Sequence, residues 1–152
     1  MHSKRKEASM RLVLVACSAL KLPHAAAARD LYGTSDLFSK SRSYAEQLIA
    51  NGQADDWRIL SGAHGVLHPD TVIAPYQLGV QQMSAAERRV WAEAIAGSLE
   101  ALSPSAVTVL GGVHYVAAVA RYAAAAGIPI DTPLGRLEIG ERKAWLKRQL
   151  AA

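Results

Sequence analysis

Cysteine occurs once among the 152 residues, as Cys17, so no internal disulfide can form. No apolar run approaches the roughly 20 residues of a membrane-spanning helix, and no signal-peptide core follows the charged start. The glycine-rich dinucleotide fingerprint and the Walker motif are both missing, which removes support for NAD or ATP chemistry. His64 and His68 have a spacing seen in metal pairs, yet they sit in a loop with no third ligand after them, so no metal is expected. Internal repeats, linkers and low-complexity tracts other than alanine enrichment are lacking as well. A cytoplasmic protein with no membrane partner and no cofactor is expected.

With 51% hydrophobic residues, the chain can bury one substantial core and is short for two domains. Residues 1–10, with Lys4, Arg5 and Lys6, read as a basic disordered tail, and residues 11–152 as a single domain, expected to be a monomer. The 17 lysines and arginines exceed the 13 acidic residues, for a net charge of +4, which points to an anionic partner such as nucleic acid or a nucleotide.

Four runs rich in Val, Ile or Leu alternate with segments of helical period: Leu12 to Ala16, Trp57 to Ser61, Ala106 to Leu110 and a short Ile128 to Ile130. Helices are expected over about Asp36 to Ala50, Ser84 to Leu102, Gly112 to Ala126 and Gly135 to Leu150. Ser84 with Glu87 forms a capping box, while Asn51-Gly52 and Gly127 with Pro129 stop two helices. This alternation predicts an α/β fold, a three-layer αβα domain with a four-stranded, mainly parallel sheet. Ala25 to Ala28 read as part of a long loop. The connection from His64 to Met83, with Pro69 and Pro75, is long enough to be functional rather than idle.

Parallel strands deliver the residues that follow them to one edge of the sheet, where open α/β folds bind ligands. Cys17, Ser18, Lys21, Asp30 and Tyr32 follow the first strand; Ser61, Gly62, His64 and Tyr76 follow the second; Gly112, His114 and Tyr115 follow the third. Ser18 offers a hydroxyl and Lys21 a point charge for phosphate, although Lys21 equally suits a solvated surface. A cysteine closing a buried strand is most often a small hydrophobe. Asp30 is placed to orient water or stabilise a cation, or simply to pair with Arg29. Tyr32 and Phe38 can wall a planar ligand, or pack as ordinary core. In Ser61-Gly62-Ala63-His64-Gly65, two glycines let the backbone turn tightly and present His64 to a ligand; a structural histidine bonded to backbone is the alternative. His68-Pro69-Asp70 is explained as a turn. Gly111-Gly112 opens a helix whose free amides suit phosphate. Arg136, Arg142, Lys143, Lys147 and Arg148 make a basic last helix, read as a solvated face, with contact to a DNA backbone as the alternative.

Cys17-Ser18-x-x-Lys21, Leu31-Tyr32-x-x-Ser35-x-Leu37-Phe38, Ile59-Leu60-Ser61-x-x-His64-Gly65-x-Leu67 and Pro75-Tyr76 together resemble a family of small bacterial and phage proteins labelled as a domain of unknown function. The first motif is also similar to the Cys-x-x-x-Lys-Pro motif of a domain of archaeosine synthase, departing from it at Leu22. The resemblance covers roughly Leu12 to Arg89 and implies a relation to the uracil-DNA glycosylase superfamily, though the Gly-Gln-Asp-Pro-Tyr loop of that superfamily is missing. It implies a water-positioning role for Asp30 and a leaving-base role for His64 or His68-Pro69. The function expected is a metal-independent DNA glycosylase that removes a bulky modified base, derived from hydroxymethylcytosine and glucosylated, from phage DNA. Substrate-binding residues would be Cys17, Ser18, Lys21, Tyr32, Phe38, Ser61, Gly62, Tyr76, Gly112, His114 and Tyr115. The alternatives are a nucleoside, nucleotide or RNA-base processing enzyme, or a module that binds modified bases without cutting.

Overall fold

The computed structural model describes residues 9–152, so most of the expected basic tail lies outside the described residues. The first strand, β1 (Arg11–Ala16), runs through the centre of the sheet. It pairs in parallel with β3 (Asp56–Ser61) on one side and β6 (Ala106–Leu110) on the other, with Val13 opposite Trp57 and Leu14 opposite Val109. A strand with neighbours on both sides and helices on both faces has no wet surface, which is why Leu12 through Val15 form an unbroken apolar run.

Alternate side chains divide between the two faces. Val13, Val15 and Ile59 pack beneath α2 (Asp36–Ala50) and α5 (Ile139–Ala151), through Phe38, Ala45 and Leu146. Leu12, Leu14, Val107 and Val109 pack beneath α3 (Ala85–Leu102) and α4 (Val113–Ala126), through Trp91, Ile95, Leu99 and Val119. Helices α2 and α5 also pack on each other, as do α3 and α4. The three-layer αβα arrangement with a mostly parallel sheet is therefore present. The capping box of α3 forms as expected: Glu87 N–H donates to Ser84 Oγ at 3.1 Å and Ser84 N–H to Glu87 Oε1 at 2.8 Å.

A fifth strand joins the four expected ones. Gly65, at φ +66°, takes a left-handed conformation that turns the chain back after β3, and β4 (Gly65–Leu67) pairs antiparallel with it. The strand order is β4-β3-β1-β6-β7, with β7 (Ile130–Asp131) parallel to β6. β7 starts later than the expected Ile128: Pro129 has no N–H to donate and contributes its carbonyl alone, accepting Val107 N–H at 3.1 Å.

The stretch expected as loop around Ala25 to Ala28 is ordered as β2 (Ala26–Ala27) followed by the single turn α1 (Ala28–Leu31). β2 pairs antiparallel with β5 (Val72–Ile73), from the long connection after β3. The same connection holds a 3-10 turn, Val80–Gln82. The last helix begins at Ile139 rather than Gly135, because Gly135 N–H and Leu137 N–H close two successive turns onto Thr132 and Leu134 carbonyls.

Candidate functional site

At the carboxyl edge of the sheet lies a cavity of about 620 Å³. Its floor comes from the ends of β1 and β6, at Ala16, Cys17, Leu110 and Gly111. The amino-terminal turn of α2 gives one wall, with Asp36, Leu37 and Phe38, and the segment from Tyr76 to Gln82 gives another. Ile139, Arg142 and Lys143 close it from α5. Among the sequence-derived candidates, Cys17, Ser18, Lys21, Phe38, Tyr76, Gly112 and Tyr115 all line this space.

Tyr32 and Ser61 lie directly behind the wall, fully buried. The Tyr76 hydroxyl is 2.6 Å from both the Tyr32 hydroxyl and Ser61 Oγ, and Tyr32 donates to Ser61 Oγ at 3.4 Å. Three hydroxyls with three protons can close a ring in which each donates once and accepts once. Burial, above all, raises the pKa of Tyr32 and of Tyr76, so both phenols stay protonated. The ring holds Tyr76 by its tip and leaves its aromatic face to the cavity. Lys21 Nζ stands 4.4 Å from that ring's centroid, within cation–π range, and also donates to Ala19 carbonyl at 3.3 Å. Ser18 Oγ donates to Leu20 carbonyl at 2.7 Å, which tightens the loop and leaves its oxygen free to accept.

Arg142 is a site residue that the sequence reading placed on a solvated face. Its guanidinium lies against Gly112, where an added Cβ would come within 2.8 Å of Nη2, and its Nε donates to Leu137 carbonyl at 2.8 Å. Gly112 caps α4 without a side chain, no acidic residue occupies the helix's first turn, and Arg142 forms no ion pair among the described residues. A cation facing the positive end of a helix makes an electropositive corner suited to an anion. The helical period carried the signal: Leu146, four residues on, is wholly buried, so Arg142 shares its face.

Asp36 is the one carboxylate lining the cavity among the described residues. It accepts from Lys40 Nζ at 2.6 Å and stands 3.8 Å from Lys143 Nζ, and the Lys40 hydrogen bond chiefly holds its pKa below the usual carboxylate value. Asp30 lies apart from the cavity. Its carboxylate is 3.6 Å from Arg42, not on Arg29, which pairs instead with Asp70. A reach from α2 back to the short α1 is invisible in the local sequence.

His64 is exposed and does not line the cavity, although its ring meets Tyr76 edge-on at 5.5 Å and its N–H donates to Ser61 Oγ at 3.2 Å. Gly62 is a close-approach position: a Cβ there would come 3.0 Å from Leu78 carbonyl. His114 is half-buried on the first turn of α4 and is not part of the lining. His68 Nδ1 accepts Asp70 N–H at 3.0 Å, the turn expected at that point. No group of three metal-ligating side chains converges among the described residues, and none of the described helices is long and apolar enough to cross a membrane.

No curated protein and no solved structure matches the chain. A family model, DUF6884, described as a family of unknown function, matches residues 12–148, and the chain belongs to that family.

Proposed function

We propose that the cavity receives a base extruded from DNA and that the protein hydrolyses the N-glycosidic bond of a modified base, as a glycosylase related in fold to the uracil-DNA glycosylase superfamily. One observation carries this reading: a pocket at the ligand-binding edge of a parallel sheet joins aromatic walls, Phe38 and Tyr76, to three cations, Lys21, Arg142 and Lys143. Aromatic faces stack on bases, and the cations suit the phosphates that flank a flipped nucleotide. The motifs quoted above lend the reaction type.

In such a reaction the C1′–N bond breaks, the bonding pair leaves with the base, and a water oxygen bonds C1′ while a water proton ends on the base. The sugar passes through an oxocarbenium-like cation, which a nearby carboxylate stabilises. Asp36 takes this role in place of Asp30, because it lines the cavity and stays ionised. The protein would act on phage DNA in the cytoplasm, as a monomer.

The test is incubation with plain, hydroxymethylated and glucosylated DNA, followed by assays for released base and alkali-labile sites. Asp36→Asn should cut the single-turnover rate about 100-fold or more, within the range of such electrostatic effects, while Asp30→Asn leaves it near wild type. The reverse pattern would move the chemistry out of this cavity. A second reading, a binding module that does not cut, is favoured by the position of His64 outside the lining, which leaves the departing base without a histidine donor. Tight binding of modified DNA with no abasic sites would select it.

A further inference from the structure

Tyr115 ends in the cavity floor and is only 8% exposed. Its hydroxyl has one hydrogen-bond neighbour among the described residues, the thiol of Cys17 at 3.6 Å. Sulfur is a weak donor and a weak acceptor, so this contact leaves most of the hydroxyl's bonding capacity unused. The other two phenols beside the cavity, buried Tyr32 and half-buried Tyr76, differ: each has an oxygen partner at 2.6 Å. A buried polar group without a strong partner is costly, and such a group in a ligand cavity is best satisfied by the ligand.

The ring is held in place. Trp91 meets it edge-on at 5.7 Å and is itself anchored by its Nε1–H to Ser61 carbonyl at 2.9 Å. On the other side Gly111 allows the strand end to approach, with only 3.2 Å from a Cβ there to Tyr115 Cβ. The hydroxyl therefore presents itself at a fixed point of the floor. Burial, before any neighbouring charge, raises its pKa above the usual tyrosine value, which keeps the proton on oxygen throughout the neutral range.

We propose that Tyr115, backed by Cys17, is the specificity element of the cavity and selects bases carrying a carbonyl oxygen. The thiol donates to the phenol oxygen and the phenol donates to the carbonyl, a chain in which every proton has an acceptor and each bond polarises the next. Uracil, thymine, cytosine and guanine, with their substituted forms, offer such an oxygen; adenine does not. This inference rests on the reading of the cavity as a base-binding site.

The test is titration of the full chain with the 5′-monophosphates of deoxyuridine, thymidine, deoxycytidine, deoxyguanosine and deoxyadenosine, read by tryptophan fluorescence, Trp91 being the reporter next to Tyr115. Wild type should bind at least one of the first four about tenfold more tightly than deoxyadenosine monophosphate, the worth of one buried hydrogen bond. Tyr115→Phe should erase that difference, Cys17→Ser should preserve it, and Cys17→Ala should reduce it in part. The Cys17 pair keeps the comparison valid should the Tyr115 variant fold poorly. Equal binding of all five nucleotides, or preference unchanged in Tyr115→Phe, would overturn the carbonyl selection alone. Failure of every nucleotide to bind would overturn it together with the base-binding reading.

Discussion

Removal of the Ser61 hydroxyl tests the buried ring that holds Tyr76. Ser61 Oγ accepts from Tyr32 at 3.4 Å and from His64 N–H at 3.2 Å, and shares a proton with Tyr76 at 2.6 Å. In Ser61→Ala the two tyrosines keep their mutual bond, which takes only one of their two protons, and the bonds of Tyr32, Tyr76 and His64 N–H to Ser61 Oγ are all lost beside a Tyr32 site wholly closed to solvent. An orphaned buried donor costs about 1–3 kcal/mol, so with the weaker loss at the exposed His64 a total near 2 kcal/mol is expected. Tyr32→Phe is the comparison. It leaves Ser61 paired with Tyr76, whose ring lines the cavity and whose own proton can therefore reach water, and should cost about 1 kcal/mol. At this chain length each kcal/mol moves Tm by roughly 2–4 °C, so the shifts are about 4–8 °C for Ser61→Ala and about 2–4 °C for Tyr32→Phe. Urea melts followed by tryptophan fluorescence, with equal slopes for both variants, give the same ranking. Should Tyr32→Phe prove the more damaging, Ser61 Oγ is not the hub of the ring.

Gly111→Ala should destabilise by about 1–3 kcal/mol, since the new Cβ would stand 2.8 Å from Ala16 Cβ, whereas Gly97→Ala, with open space inside α3, should stabilise by about 0.5–1 kcal/mol in the same melts. Asp55, which accepts three hydrogen bonds from Arg11, has its pKa lowered to about 2, so the stability it contributes is complete above the unfolded pKa of about 4 and disappears as pH falls to about 2. The urea midpoint of Asp55→Asn should accordingly lie below wild type at neutral pH and converge with it across that acid window; a constant offset down to pH 2 would refute the assignment. Lys21→Ala and Arg142→Ala should each weaken DNA binding and reduce its salt slope by about one phosphate contact. An unchanged slope in either variant would show that its side chain makes no phosphate contact.

The parallel core was legible because burial on both faces writes itself as continuous apolar runs: Leu12 to Val15, Ile59 to Leu60 and Val109 to Leu110 needed no tertiary information. The capping box at Ser84 and the stop at Gly127, which takes φ +70°, were equally local. What escaped were elements two to four residues long. β2, β5 and α1 are stabilised by partners about 40 residues away, such as Thr71 carbonyl for Ala28 N–H and Pro69 carbonyl for Arg29 N–H, and no periodicity develops over so short a span. The site divided in the same way. Residues directly after a strand, Cys17, Ser18 and Gly112, were placed by topology, while Asp36 and Arg142 enter the cavity from helices whose packing decides which side chains turn inward. At the start of α5 Glu138 N–H donates to Glu141 Oε1 at 2.8 Å, one half of a reciprocal cap, and glutamate is not among the preferred N-cap residues that would have marked this start in the sequence.

The ribbon of Ala26–Ala27 against Val72–Ile73 ties together two excursions that leave the sheet from different strands. One carries Cys17 to Lys21 and the other Tyr76 to Gln82, which are facing lips of the cavity. Stapled near their roots, the lips are tied to each other and not to the sheet alone, so a displacement of one would be passed to the other. Leu20 and Leu78, 62% and 45% exposed, are the parts of this rim with the most freedom to give way. A substitution that breaks the ribbon, such as Ile73→Pro, would uncouple the two lips and loosen both at once, even though Ile73 does not line the cavity.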